Sequence, residues 1–459
     1  MEREKRAHIL AIPYPSQGHI NPMLQFCKRL VSKGLKTTLA ITTFISNSMK
    51  PVSDAVAIDT ISDGCDAAGF LQAHSVHDYL NRFQVSGSKT LADLIEKYKN
   101  ADSPVDCVMY DSFMPWALDV AKSHGLFAAC FFTQACAVNY VYYCAHHGML
   151  ELPVTSPPVR IPGLPPMELR DMPSFIYAHG SYPAYFELVL HQFLNVDKAD
   201  CVFVNTFYKL EAQVVDTMSK MSPVITIGPT IPSLYLDNRV KNDSEYGINL
   251  YHMDQSKSID WLKTKPEGSV VYVAFGSMAS VDQTQMEELA WGFKNTNTYF
   301  LWVVRDSELQ KLPEDFLGYV GATDKALIVN WSPQLKVLSS KAVGCFFTHG
   351  GWNSTIEALS LGVPMVVMPQ WTDQTMNAKL IEDVWKVGKR VRVGEDGVVS
   401  RGEIEGCVRE VLGEGGKGKE MKENAMKWGH LAKEAVSEGG TSDKVIDEFV
   451  STLTSLSHV

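Results

Sequence analysis

Short apolar runs rich in β-branched and aromatic residues recur along the chain, separated by stretches of helical period. In the first half they fall at 8–13, 36–41, 56–61, 105–110, 128–132, 202–204 and 224–227; in the second, at 270–275, 299–304, 327–329, 344–348 and 365–368. Continuous apolar runs, rather than alternating ones, predict strands buried on both faces, and strands alternating with helices predict parallel sheets covered by helices. So many strands overfill one sheet, so the pattern predicts two doubly wound α/β domains. The polar segment 236–258 (LDNRVKNDSEYGINLYHMDQSKS) lacks core periodicity and reads as the linker between a domain of residues 1–235 and one of 259–435. The proline-rich stretch 153–173 reads as a long surface loop inside the first domain. Ligands of such sheets gather beyond the carboxyl ends of the strands, so two facing sheets predict an interdomain cleft.

The uncharged stretch Leu126–Ala145 is long enough to span a bilayer. However, Thr133, Gln134 and Asn139 interrupt it, no basic cluster flanks it, and AACFFT reads as a strand running into a helix. Over 459 residues, 45% are hydrophobic and 20% charged, which excludes a disordered or fibrous chain. A net charge of −10 argues against nucleic acid or anionic lipid as partner. Nine cysteines scattered from Cys27 to Cys407, with no C-x-x-C pair, read as reduced thiols. The first residues lack the apolar core of a signal peptide. A cytoplasmic, monomeric protein without integral membrane contact is the expectation.

Three patterns lead nowhere. Gly413–Lys419 fits the start of a P-loop, but Glu420 takes the required Ser/Thr position and a helical run precedes it instead of a strand. No G-x-G-x-x-G follows the first strand. His74 and His77 have metal-like spacing without a third ligand nearby.

Chemistry concentrates in 331–374, WSPQLKVLSSKAVGCFFTHGGWNSTIEALSLGVPMVVMPQWTDQ. Phe346–Ser354 runs from a buried strand into a glycine turn, and a helix continues over 356–361. Strand, turn and helix N-terminus together make an anion site, because free backbone N–H groups and the helix dipole both favour phosphate. His349, Asn353 and Ser354 add side-chain donors there. Glu357, one turn further, suits two vicinal ribose hydroxyls. Trp331 offers an aromatic face for a base, with Gln334 beside it for polar edges. Asp373 and Gln374 supply an acceptor and a donor for sugar hydroxyls.

This segment resembles the signature box of plant UDP-dependent glycosyltransferases, the secondary-product enzymes of glycosyltransferase family 1. Trp331, Pro333, Gln334, Gly344, His349, Gly351, Trp352, Asn353, Ser354, Glu357, Pro364, Pro369, Asp373 and Gln374 stand where the family has them. Similarity also covers Gly18–Pro22, Val271–Ser277 and Phe300–Arg305. The resemblance implies a GT-B fold of two Rossmann-like domains, with the donor on the C-terminal one and the acceptor on the N-terminal one. It also implies a last segment, 436–459, whose helix returns to the first domain. Gly350 stands where the family usually has cysteine, and Ser340 where it often has histidine; more than altered loop flexibility is not expected from either.

A hydroxyl attacking C1 of a nucleotide sugar needs a base, and His19, just after the first strand, is suited to taking a proton near pH 7. Asp111 ends the strand at 105–110 and would fix the imidazole tautomer across adjacent strand ends; the resemblance implies the same dyad. It further implies that Gly18, Thr133, Ser277, Ser332 and Trp352 belong to the donor site with the box residues. His349, Asn353, Ser354 and Ser277 would steady the departing diphosphate. The expected reaction is a single inverting displacement from UDP-glucose, the donor that the resemblance implies because Gln374 at the end of the box resembles the family's glucose users. No acidic D-x-D cluster is present, so no metal or other cofactor is expected. The acceptor would be a small hydrophobic phenol, aromatic acid, flavonoid, terpenoid or steroid, modified on a hydroxyl or carboxyl. Tyr14, Phe113, Met114, Tyr143, Phe175, Ile176 and Tyr182 are its expected pocket. The alternative is an inactive protein of the same fold that binds UDP-sugar or small molecules, although His19 and Asp111 are both retained.

Overall fold

A computed structural model describes residues 6–49, 55–241, 243, 256–277 and 279–456. It divides into one unit of Met1–Pro166, Phe175–Tyr251 and Lys433–Val459, and a second of Met167–Ser174 and His252–Ala432.

The first unit carries β1 (His8–Ile12), β2 (Lys36–Thr42), β3 (Ala57–Ile61), β4 (Cys107–Asp111), β5 (Phe127–Phe132), β6 (Cys201–Val204) and β7 (Ile225–Thr226). They form one parallel sheet in the order β3-β2-β1-β4-β5-β6-β7. Every residue of β1 and β4 is buried, as expected of central strands covered on both faces. The chain goes out from β1 to one side and returns through β4 to the other, so the strand order reverses between them. The stretch 126–145 is β5 followed by the helix Cys136–His146, and no described helix is long and apolar enough to cross a membrane.

Two further elements complete this unit. The helix Gln17–Ser32 carries His19 in its first turn and cations at its far end. There Lys28 pairs with Asp243 at 2.9 Å and Arg29 holds Asp237 through both Nη atoms at 2.9 and 3.0 Å. Removing one partner of such buried pairs costs about 3–5 kcal/mol, so they fix how this helix lies. The closing helix Thr441–Leu456 buries Ile446, Phe449 and Leu453, with the Phe449 ring 4.9 Å from that of Phe203. Each such side chain contributes roughly 1.5–3 kcal/mol. Of the segment 236–258 read as a linker, 242 and 244–255 lie outside the described residues, and a helix begins at Ser256.

The second unit carries β8 (Val270–Ala274), β9 (Tyr299–Val303), β10 (Ala326–Val329), β11 (Val343–Thr348), β12 (Met365–Val367) and β13 (Gly388–Arg390). All are parallel, in the order β10-β9-β8-β11-β12-β13, with the reversal between β8 and β11. β13 is absent from the sequence reading because Gly-Lys-Arg has no apolar run. It is an edge strand whose Lys389 and Arg390 are tied by Glu382 and Asp171.

Two expectations need correction. The helix after β11 starts at Trp352, inside the expected turn, with Gly351 as its N-cap. The end of the proline-rich stretch is no surface loop of the first unit: 167–174 belongs to the second, with Met167, Asp171, Met172 and Ser174 buried. Asp171 pairs with Arg390 at 2.7 Å and Lys379 at 3.3 Å, partners far off in sequence that no local pattern reveals.

Candidate active site

The crevice opened where strand order reverses is the usual ligand site of a doubly wound sheet. In the first unit His19 and Asp111 stand there. His19 Nδ1 lies 2.7 Å from Asp111 Oδ2, and the Asp111 side chain is fully buried. Its other oxygen, Oδ1, accepts the Phe113 backbone N–H at 3.0 Å, which sets the rotation of the carboxylate. A carboxylate only accepts, so in the neutral ring the proton sits on Nδ1 and Nε2 carries the lone pair. The His19 side chain is 15% exposed, open enough to meet a ligand. Thr133, expected at the sugar, has its Oγ1 3.3 Å from the same Nδ1. Gly18 is exposed in the same first turn.

Aromatic rings gather around the imidazole. Phe113 and Tyr14 lie 4.8 and 5.2 Å from the His19 ring, centroid to centroid, and 5.5 Å from one another. Burial, then Tyr185 and Asp111, hold the Tyr14 hydroxyl's pKa above its usual value. Tyr185 in turn stacks on Phe175 at 6.0 Å, and Tyr182 meets Phe175 at 5.6 Å. Met114 and Ile176 are instead fully buried packing residues. Tyr143 spends its ring on His147, at 4.0 Å, and on the edge of Phe193.

The second unit repeats the design at its own reversal. Ser277 follows β8, exposed, and its carbonyl accepts from Arg305 Nη1 at 2.5 Å. His349 follows β11, and its Nε2 is enclosed so closely that a Cβ at Gly276 or Gly351 would come within 2.8 or 2.6 Å of it. Burial pushes the His349 pKa down to about 4, so at neutral pH this ring is an uncharged hydrogen-bonding group. The helix Trp352–Leu361 presents its first N–H groups beside it, with Asn353 half-buried and Ser354 buried. The Trp352 indole is buried 6.0 Å from Trp385, so only the backbone of this residue is offered to a ligand.

Trp331 is half-buried after β10. Ser332 and Gln334 are oriented by the buried Tyr272, whose hydroxyl lies 3.0 Å from Ser332 Oγ and 3.4 Å from Gln334 Oε1. Gln334 Nε2 donates to Ser354 Oγ at 3.0 Å and to Glu357 Oε2 at 2.7 Å, joining the expected base and ribose contacts into one network. Asp373 and Gln374 are both buried in the turn after β12. Gln374 Oε1 accepts the backbone N–H groups of Gln370 and Trp371 at 2.8 and 3.1 Å, which fixes the orientation of its amide. Burial raises the Asp373 pKa, against hydrogen bonds from Thr372, Asn377 and the backbone. Asn377 was missed by sequence reasoning. It donates to Asp373 Oδ2 at 2.7 Å and to the Gly350 carbonyl at 2.9 Å, tying the turn after β12 to the turn after β11.

Gly350 is more than a source of flexibility. It has φ +80°, and an added Cβ would lie 2.5 Å from Val367 Cγ1. Gly350→Ala is expected to lower unfolding stability by about 1–3 kcal/mol, read as a fall in the urea midpoint. An unchanged midpoint would mean that the turn relaxes freely.

His74 and His77 are exposed on the protein surface, and no group of three or more His, Cys, Asp or Glu among the described residues is arranged to hold a metal. Two Rossmann-like parallel sheets, one with a His–Asp pair at its reversal and the other with a helix N-terminus at its own, are the architecture of a GT-B fold. Residues 185–438 match the family model of UDP-glucoronosyl and UDP-glucosyl transferases. The chain is 57% identical to UDP-glycosyltransferase 74F2 of Arabidopsis thaliana, covering 98% of this chain and 99% of that one. It is 55% identical to flavonol 7-O-beta-glucosyltransferase UGT74F1 of the same plant, over 98% of both. The crystal structure of Os79 from O. sativa in complex with UDP matches with a TM-score of 0.92 at 37% identity, over 97% of this chain and 100% of that one. The chain belongs to this family and is a plant UDP-glycosyltransferase.

Proposed function

We propose that this enzyme transfers glucose from UDP-glucose to a small, flat, hydrophobic plant metabolite with inversion at C1. A phenolic hydroxyl is the favoured acceptor; aromatic acids, terpenoids and steroids are the wider class. The observation that carries this reading is the His19 Nδ1–Asp111 contact of 2.7 Å under a cluster of aromatic rings. The His19 Nε2 lone pair takes the acceptor proton as the acceptor oxygen bonds to C1, and the bond from C1 to the UDP oxygen breaks. Asp111 stabilises the imidazolium that forms. The negative charge released on UDP is met by neutral donors: His349, Asn353, Ser354, Ser277 and the N–H groups opening the Trp352 helix. Trp331, Ser332, Gln334 and Glu357 hold the nucleoside, and Asp373, Gln374 and Thr133 the sugar. We further propose that the first unit takes the acceptor and the second the donor, that no metal is needed, and that the protein works as a cytoplasmic monomer.

The test is a panel of phenols, aromatic acids, flavonoids, terpenoids and steroids with UDP-glucose and EDTA, read by mass for one added hexose. Product on the phenolic members supports the proposal. UDP binding without product on any member would sink it in favour of a binding protein.

Gln374 carries the choice of sugar. With Oε1 held by the backbone, its amide offers two N–H donors; histidine there would offer one, in another place. Gln374→His is expected to raise KM for UDP-glucose by about tenfold, with the Kd for UDP nearly unchanged. An unaltered donor preference would remove Gln374 from sugar recognition.

A further inference from the structure

The turn that presents Asp373 and Gln374 contains a residue in an unfavourable conformation. Thr372 has φ +57°, in the left-handed region that β-branched residues rarely adopt. Such a conformation persists only where its surroundings enforce it. Here Ser174 does so, gripping Thr372 from both sides of its backbone. Ser174 Oγ accepts the Thr372 N–H at 2.7 Å, and the Ser174 N–H donates to the Thr372 carbonyl at 2.7 Å. Ser174 is 1% exposed and stands 198 residues earlier in the chain. Its own segment is fixed to the same unit: Thr375 Oγ1 donates to the Met172 carbonyl at 2.7 Å, and Asp171 is paired with Arg390 and Lys379.

We infer that Ser174 is a positioning residue for the sugar half of the donor site, acting through the enforced backbone of Thr372. This rests on the proposed role of Asp373 and Gln374 at the sugar. Both follow Thr372 directly, and Gln374 closes the turn by bonding back to the N–H groups of Gln370 and Trp371. Without the Ser174 hydroxyl only the bond from the Ser174 N–H to the Thr372 carbonyl remains, so Thr372 loses half of its brace and can relax towards negative φ, which re-aims the next two side chains. The nucleoside contacts at 331–334 lie on another loop, and the turn at 349–354 keeps its own bond from Asn377 Nδ2 to the Gly350 carbonyl, so both stay in place. The predicted defect is therefore selective: sugar positioning is lost and UDP binding is kept.

The experiment is a double-mutant cycle on the full-length enzyme, with KM and kcat for UDP-glucose and Kd for UDP measured on each variant. Ser174→Ala is expected to raise KM for UDP-glucose or lower kcat by about tenfold, with the Kd for UDP within about twofold of the parent. Glycine adopts positive φ without a brace, so in a Thr372→Gly background the same Ser174→Ala change should cost no more than about twofold. Equal losses in both backgrounds, or a loss matched by weaker UDP binding, would overturn the inference. Asp373→Asn separates this from the reading beneath it. If Asp373→Asn leaves KM and kcat for UDP-glucose unchanged, the sugar assignment falls. If Asp373→Asn is impaired and Ser174→Ala is not, only the brace falls.

Discussion

His19→Ala should lower kcat for a phenolic acceptor by a factor on the order of a hundred to ten thousand, with the Kd for UDP unchanged. The separation follows from where the ring stands. His19 opens the helix after β1, in the first unit, and the nucleotide-binding groups proposed here belong to the second. Loss of the imidazole removes the acceptor's base and leaves those groups intact. The paired measurement is steady-state kinetics with a phenol and calorimetric titration with UDP. Near-normal turnover would refute the assignment of His19 as base.

Asp111→Asn should lower kcat by on the order of a thousandfold or more while the fold is kept. The carboxylate accepts from His19 Nδ1 through Oδ2 and from the Phe113 N–H through Oδ1. With the amide carbonyl oxygen still serving Phe113, the NH2 group faces Nδ1 and donates to it. The ring proton then moves to Nε2, and the nitrogen facing the acceptor can no longer act as base. Asp111→Asn should therefore resemble His19→Ala in kcat and differ little from the parent in thermal unfolding. A loss of less than about tenfold would mean that Asp111 orients nothing essential.

Much of this arrangement was legible in the chain. Runs such as VVYVA and ILAI are buried on both faces, the unbroken apolar pattern of a central parallel strand. His19 and Asp111 were legible because they follow strands one expects to be neighbours, and the resemblance named the same pair. Their approach across 92 residues is what the sheet order adds. What escaped has a physical explanation in each case. β13 is held by ion pairs and edge hydrogen bonds, which leave no hydrophobic period. Residues 167–174 look like a polar, proline-rich loop because their partners, Thr372, Thr375, Lys379 and Arg390, lie about two hundred residues away. The left-handed Thr372 gives no local sign, since threonine is not a residue one chooses for that conformation. Among the expected acceptor contacts, Tyr14 and Phe113 meet the His19 ring, whereas Met114 and Ile176 are buried and Tyr143 stacks on His147. An aromatic or apolar residue beside a site reads the same in sequence whichever way it points.

The central claim is that His19 removes a proton from the acceptor. It is tested most directly by kcat/KM of the parent and of His19→Ala across ring-substituted phenols, from a pKa of about 10 down to below the assay pH. An acceptor already ionised needs no base. The account predicts that the deficit of His19→Ala is large for the least acidic phenol and shrinks towards parity as the phenol becomes an anion in solution. A deficit of the same size across the whole series would contradict it.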